Sequence, residues 1–434
     1  MKWMMLTRMI PSRIAAIRQS TFLRESALFG TSTMAEQGSR LATNLFAAAI
    51  LGPTVWGYWF LLNLVLRYGA LVHLGAINGM NREIPAALGR GDGVDATCLQ
   101  RSAFGFVLVS FATTAGLLLL GSPLFGDAFP LHDLALTIVL LAFQQTYGFA
   151  VTSLKARIAF STVSRMQWAS TLVFPMLVIP AASAGGLTGY IMGQIGTYAL
   201  LSLLALSRDA AVYVPAFNAA ITKRLIGIGF PIMMVGVAHA LFSTTDRWII
   251  AALLDHEALG HYAIAIMAVG AIRLVPYVFA QQVYPRMAYA WAARRDVAEL
   301  QRLAQHQALL ALIAATAVTI PTAAVGPWAV RTLLPAYEAG IPALLVSLLA
   351  PLVAVLGQGF ANVLNVIGKQ QVYLVLIVVG AGVNVIVSLL LVDRLALVGI
   401  AVGTVAGFAF LSVGLLVTGA RALRRLSRRE STSF

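Results

Sequence analysis

Long apolar stretches constrain this chain more than any other feature of its sequence. A helix that crosses a bilayer needs about 20 mostly apolar residues, and twelve such stretches follow one another along the 434 residues. Only 11% of the residues are charged, against about 25% in a typical soluble domain. We therefore predict an all-α polytopic membrane protein with twelve transmembrane helices. The predicted spans are residues 26–50, 56–79, 102–121, 134–153, 167–182, 187–206, 226–254, 261–283, 305–327, 341–364, 371–391 and 396–420.

The positions of lysine and arginine predict the orientation of these spans. Nearly all the basic residues outside the spans fall in alternate connecting segments, and only Arg331 and Arg394 lie in the other set. Because basic loops remain on the cytoplasmic side, both termini are predicted to be cytoplasmic. This asymmetry accounts for the formal net charge of +14, so we do not infer a nucleic acid partner.

Glycine rows indicate an internal repeat. Gly185, Gly189 and Gly193 recur 214 positions later as Gly399, Gly403 and Gly407, and such rows let helices approach closely in lipid. Each half holds six spans, an even number, so the halves have the same topology and form a parallel repeat. The predicted parts are a basic N-terminal segment (1–25), an N-lobe (26–206), a linker (207–225), a C-lobe (226–420) and a basic cytoplasmic tail (421–434).

Four arginines lie inside the predicted spans. An intramembrane charge is costly and usually functional, and arginine binds phosphate through a planar, bidentate fork. By the helical rise, all four lie about 11–18 Å from the outer ends of their spans. We predict that they form a positive chamber for an anion. The candidate binding residues are Arg40, Arg67, Arg247, Arg273, Asn44, Asn63 and Gln281, selected because polar residues recur at helical spacing on these spans.

Two acids near these arginines have alternative interpretations. Glu36 lies one turn before Arg40, so the two form either a structural salt bridge or part of the binding chamber. Asp246 is adjacent to Arg247 and points in another direction on a helix, which makes mutual pairing less natural. Glu36 and Asp246 are also candidates for binding a coupling ion, H⁺ or Na⁺. For Arg67 and Arg273 no acid lies one turn away.

Enzyme chemistry is not predicted. The chain lacks a phosphate-binding G-x-x-x-x-G-K-[ST] motif, and the histidines of HEALGH (256–261) do not have the spacing of a zinc protease. The one cysteine, Cys98, excludes a disulfide framework. No cofactor or metal is therefore expected.

Several runs resemble those of the Wzx-type flippases, polysaccharide exporters of the multidrug/oligosaccharidyl-lipid/polysaccharide (MOP) superfamily. They are LGPTVWGYW (51–59), the G-x-x-N-x-x-N-R-E-I-P-x-x-x-G-R-G-D run from Gly75, IGFPIM before residue 234, DRWIIAALLDHEALGHYA (246–263) and GVNVIVSLLLVDRLALVGIAVGT (382–404). The resemblance implies a MATE/MOP-like fold in the bacterial cytoplasmic (inner) membrane.

The same resemblance implies flipping of an undecaprenyl-diphosphate-linked oligosaccharide by alternating access, for O-antigen or exopolysaccharide biosynthesis. Its implied partners are the lipid-linked oligosaccharide, membrane lipid, and a polysaccharide polymerase or assembly complex. Two alternatives remain. One is a multidrug or organic-cation exporter of the same superfamily, and the other is a non-transporting component of a polysaccharide assembly complex. The excess of arginines over acids argues against a cation substrate.

Overall fold

The computed structural model describes residues 2–126, 129–208 and 213–431, and within these ranges it contains helices and turns but no β-strand. Side chains are described except in 2–27, 277–282 and 429–431 and at positions 125, 275, 285, 292 and 294. The helices are α1 (Lys2–Gly69), α2 (Ala76–Gly89), α3 (Gly93–Leu120), α4 (Ser122–Phe125), α5 (Leu131–Ala156), α6 (Phe160–Arg208), α7 (Ala219–Phe242), α8 (Thr245–Leu253), α9 (His256–Arg294), α10 (Val297–Leu333), α11 (Ile341–Ser347), α12 (Leu349–Val366) and α13 (Gln370–Ser431), with a 3₁₀ helix at Pro335–Gly340.

The helices agree with the predicted membrane spans. Within the described ranges, nine helical segments are long and apolar enough to cross a membrane. Three of them, in α1, α6 and α13, contain non-helical residues, at Gly52, at Gly185 and Gly186, and at Ala396. Division at these breaks gives twelve segments in the order of the twelve predicted spans. The prediction of an all-α polytopic membrane protein is confirmed, and the number of segments is consistent with twelve spans.

Two predicted spans are less regular than the sequence suggested. The second, 56–79, is interrupted because α1 ends at Gly69 and α2 begins at Ala76, after Leu74 and Gly75 adopt positive φ. The seventh, 226–254, is divided between α7 and α8 at residues 243–244. Apolar composition continues through both breaks, so hydropathy alone gives no sign of them.

The chain forms two compact units. The first comprises Met1–Asn44 and Leu66–Met233, and the second comprises Leu45–Val65 and Met234–Phe434. These units follow packing, whereas the predicted lobes follow chain order, so the lobe boundaries at 26–206 and 226–420 stay a prediction.

In the first unit, α2 packs closely on α7. A Cβ at Gly79 would lie 2.2 Å from the carbonyl oxygen of Leu225, and one at Gly229 would lie 1.9 Å from that of Gly75. Glycine is therefore needed at these contacts, because any larger residue would separate the backbones. The buried side chains around this contact include Met80, Ile84, Leu99, Phe104, Phe149 and Leu225.

In the second unit, the start of α9 packs on α1. A Cβ at Gly57 would lie 1.7 Å from the carbonyl oxygen of His256, and one at Gly260 would lie 1.9 Å from that of Pro53. These glycines belong to the two runs, 51–59 and 246–263, that carry the family resemblance. The hydroxyl of Tyr337 also donates to the carbonyl oxygen of Ala48 at 2.8 Å.

The two glycine rows have the same structural role. Gly189 approaches the carbonyl oxygen of Ala181, eight positions earlier in α6, and Gly399 approaches that of Leu391, eight positions earlier in α13. In each case the row lets the helical segment after a break pack against the segment before it. The equivalent contacts support a parallel repeat, but they recur after 210 residues and not after the 214 that the glycine spacing predicted.

Candidate functional site

A buried ion pair lies in the first unit. Arg40 donates to Oε1 of Glu36 from Nη2 at 3.1 Å and from Nε at 3.4 Å. Glu36 is only 8% exposed. Because the residues are one turn apart on α1, the helix places them on one face. This geometry corresponds to the structural salt bridge that the sequence left open as one of two interpretations.

Residues of α6 complete the contacts of this pair. Ser170 accepts from Nη2 of Arg40 at 3.1 Å and donates to Oε1 of Glu36 at 2.9 Å. Nη1 of Arg40 donates to the hydroxyl of Tyr198 at 2.8 Å. The guanidinium carbon also lies 4.5 Å from the ring centre of Phe174, within the range of a cation–π interaction. Each nitrogen of the Arg40 guanidinium therefore already has a partner inside the unit.

Further polar contacts continue along the same face of α1. Oε1 of Gln167 accepts from Ser32 at 2.8 Å, and its Nε2 donates to Thr33 at 3.0 Å. The Asn44 side-chain oxygen accepts from the hydroxyl of Tyr190 at 2.9 Å. The predicted residues Glu36, Arg40 and Asn44 thus face α6 rather than lipid, as charged and polar groups in a membrane should.

Sequence reasoning missed the partners on α6. Tyr190, Gln194 and Tyr198 recur every four residues in the sixth predicted span, which is the same spacing that identified the polar face of the first span. Applied to α6, that rule finds two of the four hydrogen-bonding partners described above, Tyr190 and Tyr198. The other two hydrogen-bonding partners are Gln167 and Ser170, which the rule does not find because they are three residues apart.

Arg67 and Asn63 lie in different units. Arg67 occupies the last turn of α1, in the first unit, and is half-buried. A positive charge is favourable there because carbonyl groups point out of the helix C-terminus. Asn63, also half-buried, belongs to the second unit. Their place in a binding chamber stays a prediction.

A second polar cluster lies in the second unit, at the start of α8. Asp246 is 8% exposed, and its Oδ1 accepts the backbone N–H of Arg247 at 2.8 Å. The hydroxyl of Tyr262 lies close to Asp246, Ser347 and Thr404. Because the carboxylate interacts with backbone N–H at a helix N-terminus, it is stabilised there by the helix dipole.

Arg247 and Arg273 lie near one another in this cluster. The guanidinium carbon of Arg247 is 5.9 Å from the ring centre of Phe60, and that of Arg273 is 5.5 Å from the ring centre of Phe408. Arg273 interacts electrostatically with Arg247 and Asp246. Among the side chains that the structure describes, no carboxylate forms an ion pair with either guanidinium. With two arginines and one acid, the cluster carries excess positive charge.

Two predicted features of this region are not realised or not described. The helical spacing of polar residues on the seventh predicted span, which comes from His239, Ser243 and Arg247, does not continue along one helix, because α7 ends at Phe242 and α8 begins at Thr245. The side chain of Gln281, a predicted binding residue on α9, lies outside the described part of the chain. In the tenth predicted span, Asn362 donates to Gln307 of α10 at 2.9 Å, which is a contact between helices.

An open cavity of about 390 Å³ also occurs in the second unit. Its wall is mostly apolar and includes three polar side chains, Asp255, Glu257 and His261. Nε2 of His261 lies 3.6 Å from Oε1 of Glu257. None of the four predicted arginines lines it, so we do not assign the anion site to this cavity.

Comparison with known proteins identifies a family match. A family model described as polysaccharide biosynthesis protein matches residues 87–336, which is more than half of the chain. No curated protein sequence matches the chain significantly.

Several solved transporters have the same fold. The inward-facing conformation of a multidrug resistance MATE family transporter of the MOP superfamily has a TM-score of 0.74 and 15% identity, over 91% of this chain and 96% of that chain. The outward-facing conformation of such a transporter has a TM-score of 0.70 and 16% identity, over 93% and 95%. A third similar structure is a MOP superfamily transporter from Pyrococcus furiosus, described as having a binding pocket of reverse polarity that suggests a different function. Its TM-score is 0.66 and its identity 15%, over 93% of this chain and 96% of that chain. At these identities the likeness establishes the fold.

Proposed function

Because this chain belongs to the polysaccharide biosynthesis protein family and has the fold of MOP-superfamily transporters, we propose that it flips a lipid-linked oligosaccharide across a membrane. The substrate is an undecaprenyl-diphosphate-linked repeat unit, and the membrane is the bacterial cytoplasmic membrane, with both termini on the cytoplasmic side. The flipped unit serves O-antigen or exopolysaccharide biosynthesis. The proteins that share the fold are transporters, in agreement with the prediction that the chain is not an enzyme.

The pair Arg247 and Arg273 supports this proposal more than any other observation. Both guanidinium groups contact aromatic rings and lack a carboxylate partner among the described side chains. Asp246 is the one acid of the cluster and can offset only one of the two arginine charges. The remaining partly buried positive charge is costly, and an anionic ligand removes that cost. A diphosphate suits the pair because each guanidinium can donate two parallel hydrogen bonds to phosphate oxygens.

Glu36 and Arg40 have a different role in this proposal. Arg40 is already neutralised by Glu36 and held by Ser170 and Tyr198, so it is less available to an external anion than Arg247 or Arg273. Protonation of Glu36 would remove the counter-charge and free Arg40 from its main partner. We assign a coupling role to this pair, with H⁺ as the first candidate ion and Na⁺ as the second. Asp246 is the corresponding candidate in the second unit.

A multidrug exporter is the second candidate function, because the structures that share the fold include multidrug resistance transporters. An organic cation would be expected to bind near uncompensated carboxylates. Glu36 is instead paired with Arg40, and the cluster around Asp246 contains more arginines than acids. The Pyrococcus furiosus transporter indicates that pocket polarity differs within the superfamily. We therefore favour an anionic substrate over a cationic one, and transport over a purely structural role in an assembly complex.

Complementation of a bacterium that lacks its own oligosaccharide flippase tests the proposal. The parent chain, R247A, R273A and the charge-preserving R247K and R273K variants are compared at equal membrane expression. Arg331→Ala is the matched control, because Arg331 is exposed and paired with Glu338. Surface polysaccharide should fall at least about tenfold in each alanine variant, the loss expected for one charge-assisted contact to phosphate. The lysine variants should retain part of the activity.

The outcome separates the candidate functions. If both alanine variants export polysaccharide as well as the parent, these arginines do not bind the substrate. If the parent restores no polysaccharide in hosts with different repeat units and instead confers resistance to cationic drugs, the exporter is the better assignment. If it does neither and co-purifies with a polymerase, the structural role is favoured.

A further inference from the structure

The last helix continues beyond the membrane as an ordered extension. After the break at Ala396, α13 is helical through Ser431. About 20 residues cross the apolar layer, so α13 leaves that layer near residue 417. The helix then extends through residues 418–431, which include most of the predicted basic tail.

One face of this extension carries arginines. Arg421, Arg424, Arg425 and Arg428 are all exposed, and their spacing of i, i+3, i+4 and i+7 places them within about 100° of one another around the helix. We call this set the arginine face. The opposite side packs inward, with Ala422 5% and Leu423 2% exposed.

Packing fixes the direction of the arginine face. Ala422 and Leu423 belong to the core cluster of the second unit, together with Met287, Val297 and Leu300 from α9 and α10. The extension is therefore a packed element rather than a free tail, and its arginines point away from the core in a defined orientation.

The acids at the start of α10, which flank the core residues Val297 and Leu300 in sequence, are already engaged. Asp296 accepts the backbone N–H of Glu299 at 2.8 Å, and Glu299 pairs with Arg302 at 2.7 Å. Among the described side chains, no carboxylate forms an ion pair with Arg421, Arg424 or Arg425. The positive charge of these three residues is thus directed outward without a counter-ion from the described part of the unit.

We propose that the arginine face binds the phosphate headgroups of anionic phospholipids in the leaflet from which α13 emerges. By the helical rise, Arg421 to Arg425 lie about 6–12 Å beyond the edge of the apolar layer, and the headgroup region extends about 5–8 Å beyond that edge. Arginine side chains extend toward the interface and donate bidentate hydrogen bonds to phosphate. Under the predicted orientation this leaflet is the cytoplasmic one. The inference concerns annular lipid and is independent of the transported substrate.

The distance from the apolar layer favours lipid over a soluble partner. A charged face that contacts only water can occur anywhere on a helix. These three arginines begin within the headgroup layer and end just beyond it, where their long side chains can extend back to the phosphates. Each basic residue near an anionic surface strengthens binding about fivefold. Loss of all three should therefore weaken association with anionic lipid by at least about tenfold.

Lipid-dependent thermal stability tests this proposal. The purified full chain in an uncharged detergent is titrated with phosphatidylglycerol or phosphatidylcholine, and the midpoint temperature of unfolding is followed by fluorescence. Phosphatidylglycerol should raise the midpoint, and phosphatidylcholine should not. The R421Q/R424Q/R425Q variant should need at least about ten times more phosphatidylglycerol for half of the effect. The R421K/R424K/R425K variant and the single R331Q control should behave as the parent does.

Two results would overturn the proposal. One is a glutamine variant that needs the same phosphatidylglycerol concentration as the parent for half of the effect. The arginine face would then contact solvent or an acidic protein instead of lipid. The other is an equal response to the two lipids. If the glutamine variant does not fold, the parent is titrated at low and high salt. Salt screens these exposed charges, so a titration that does not weaken as NaCl increases also contradicts the proposal.

Discussion

At the scale of single residues, the arginines within the predicted spans differ in how their charge is compensated. Arg40 has Glu36, Ser170, Tyr198 and an aromatic ring around it. Arg247 and Arg273 have aromatic rings and an excess of positive charge nearby. A charge that is satisfied by its own unit contributes to stability, whereas one that is not is available to a ligand. We expect substitutions at the two kinds of site to affect different properties.

Glu36→Gln should destabilise the protein, because it leaves Arg40 charged and without its counter-ion. Removal of one member of a buried ion pair costs about 3 kcal/mol. The double variant E36Q/R40Q should recover much of this loss, since neither charge then remains buried. Chemical or thermal unfolding in detergent measures both effects. A single variant as stable as the parent, or a double variant less stable than the single one, would show that the pair is not a structural salt bridge.

At the scale of elements, the long helices α6 and α13 are interrupted at equivalent places, 210 residues apart. Gly186 has φ 57° and ψ −135°, and Ala396 has φ 45° and ψ −123°. Each residue lies three positions before a glycine, Gly189 or Gly399, that packs on the preceding segment, so the break ends one span and starts the next without a long loop. The same conformation is provided by glycine in one half and by alanine in the other. Positive φ is strained for alanine because of its Cβ.

Opposite substitutions at the two breaks should have opposite effects. Ala396→Gly should stabilise the protein by about 1 kcal/mol, because it removes the strain of a non-glycine residue in this region. Gly186→Ala should destabilise it by about 1–2 kcal/mol for the same reason. A Cβ at Gly186 meets no atom within 4 Å. The change in stability of the Gly186→Ala variant therefore reflects backbone conformation and not a steric clash of the added methyl group. Unfolding midpoints of the two variants that shift in the same direction would contradict this explanation.

At the scale of the whole molecule, the distribution of basic residues predicts which side each connection faces. The basic segments 80–101 and 284–304 and the tail 421–434 are assigned to one side, and the connections with Arg331 and Arg394 to the other. The assignment follows from the cost of moving basic loops across the membrane during insertion. It requires no knowledge of how the units pack.

The native Cys98 allows a direct test of this orientation. Cys98 is exposed and lies in the predicted cytoplasmic segment 80–101. It should resist a membrane-impermeant maleimide in cells with a permeabilised outer membrane and react in inverted membrane vesicles. A cysteine at Glu338, in the C98S background, should show the reverse pattern, since Glu338 is exposed in a predicted outer connection. Labelling of Cys98 from outside would mean that the predicted orientation is inverted.

The sequence by itself determined the class of fold and the order of its helices. In a bilayer every backbone polar group must be satisfied within the spanning segment, so apolar length alone predicts that the spans are helical. The structure is consistent with the predicted number of twelve spans. It also determined that Glu36 and Arg40 share a helix face, because that contact depends only on the spacing of residues along one helix. These inferences are local, and no distant residue is needed for them.

Only the tertiary structure decided which arginines are compensated and where the helices break. Ser170 and Tyr198 are more than 100 positions from Arg40, as Phe408 is from Arg273, and no local pattern predicts such contacts. The breaks before Ala76 and at residues 243–244 occur within apolar sequence. The first is accompanied by the close approach of Gly75 to Gly229. Charge compensation and backbone approach depend on packing between distant segments, which the sequence encodes only through the complete fold.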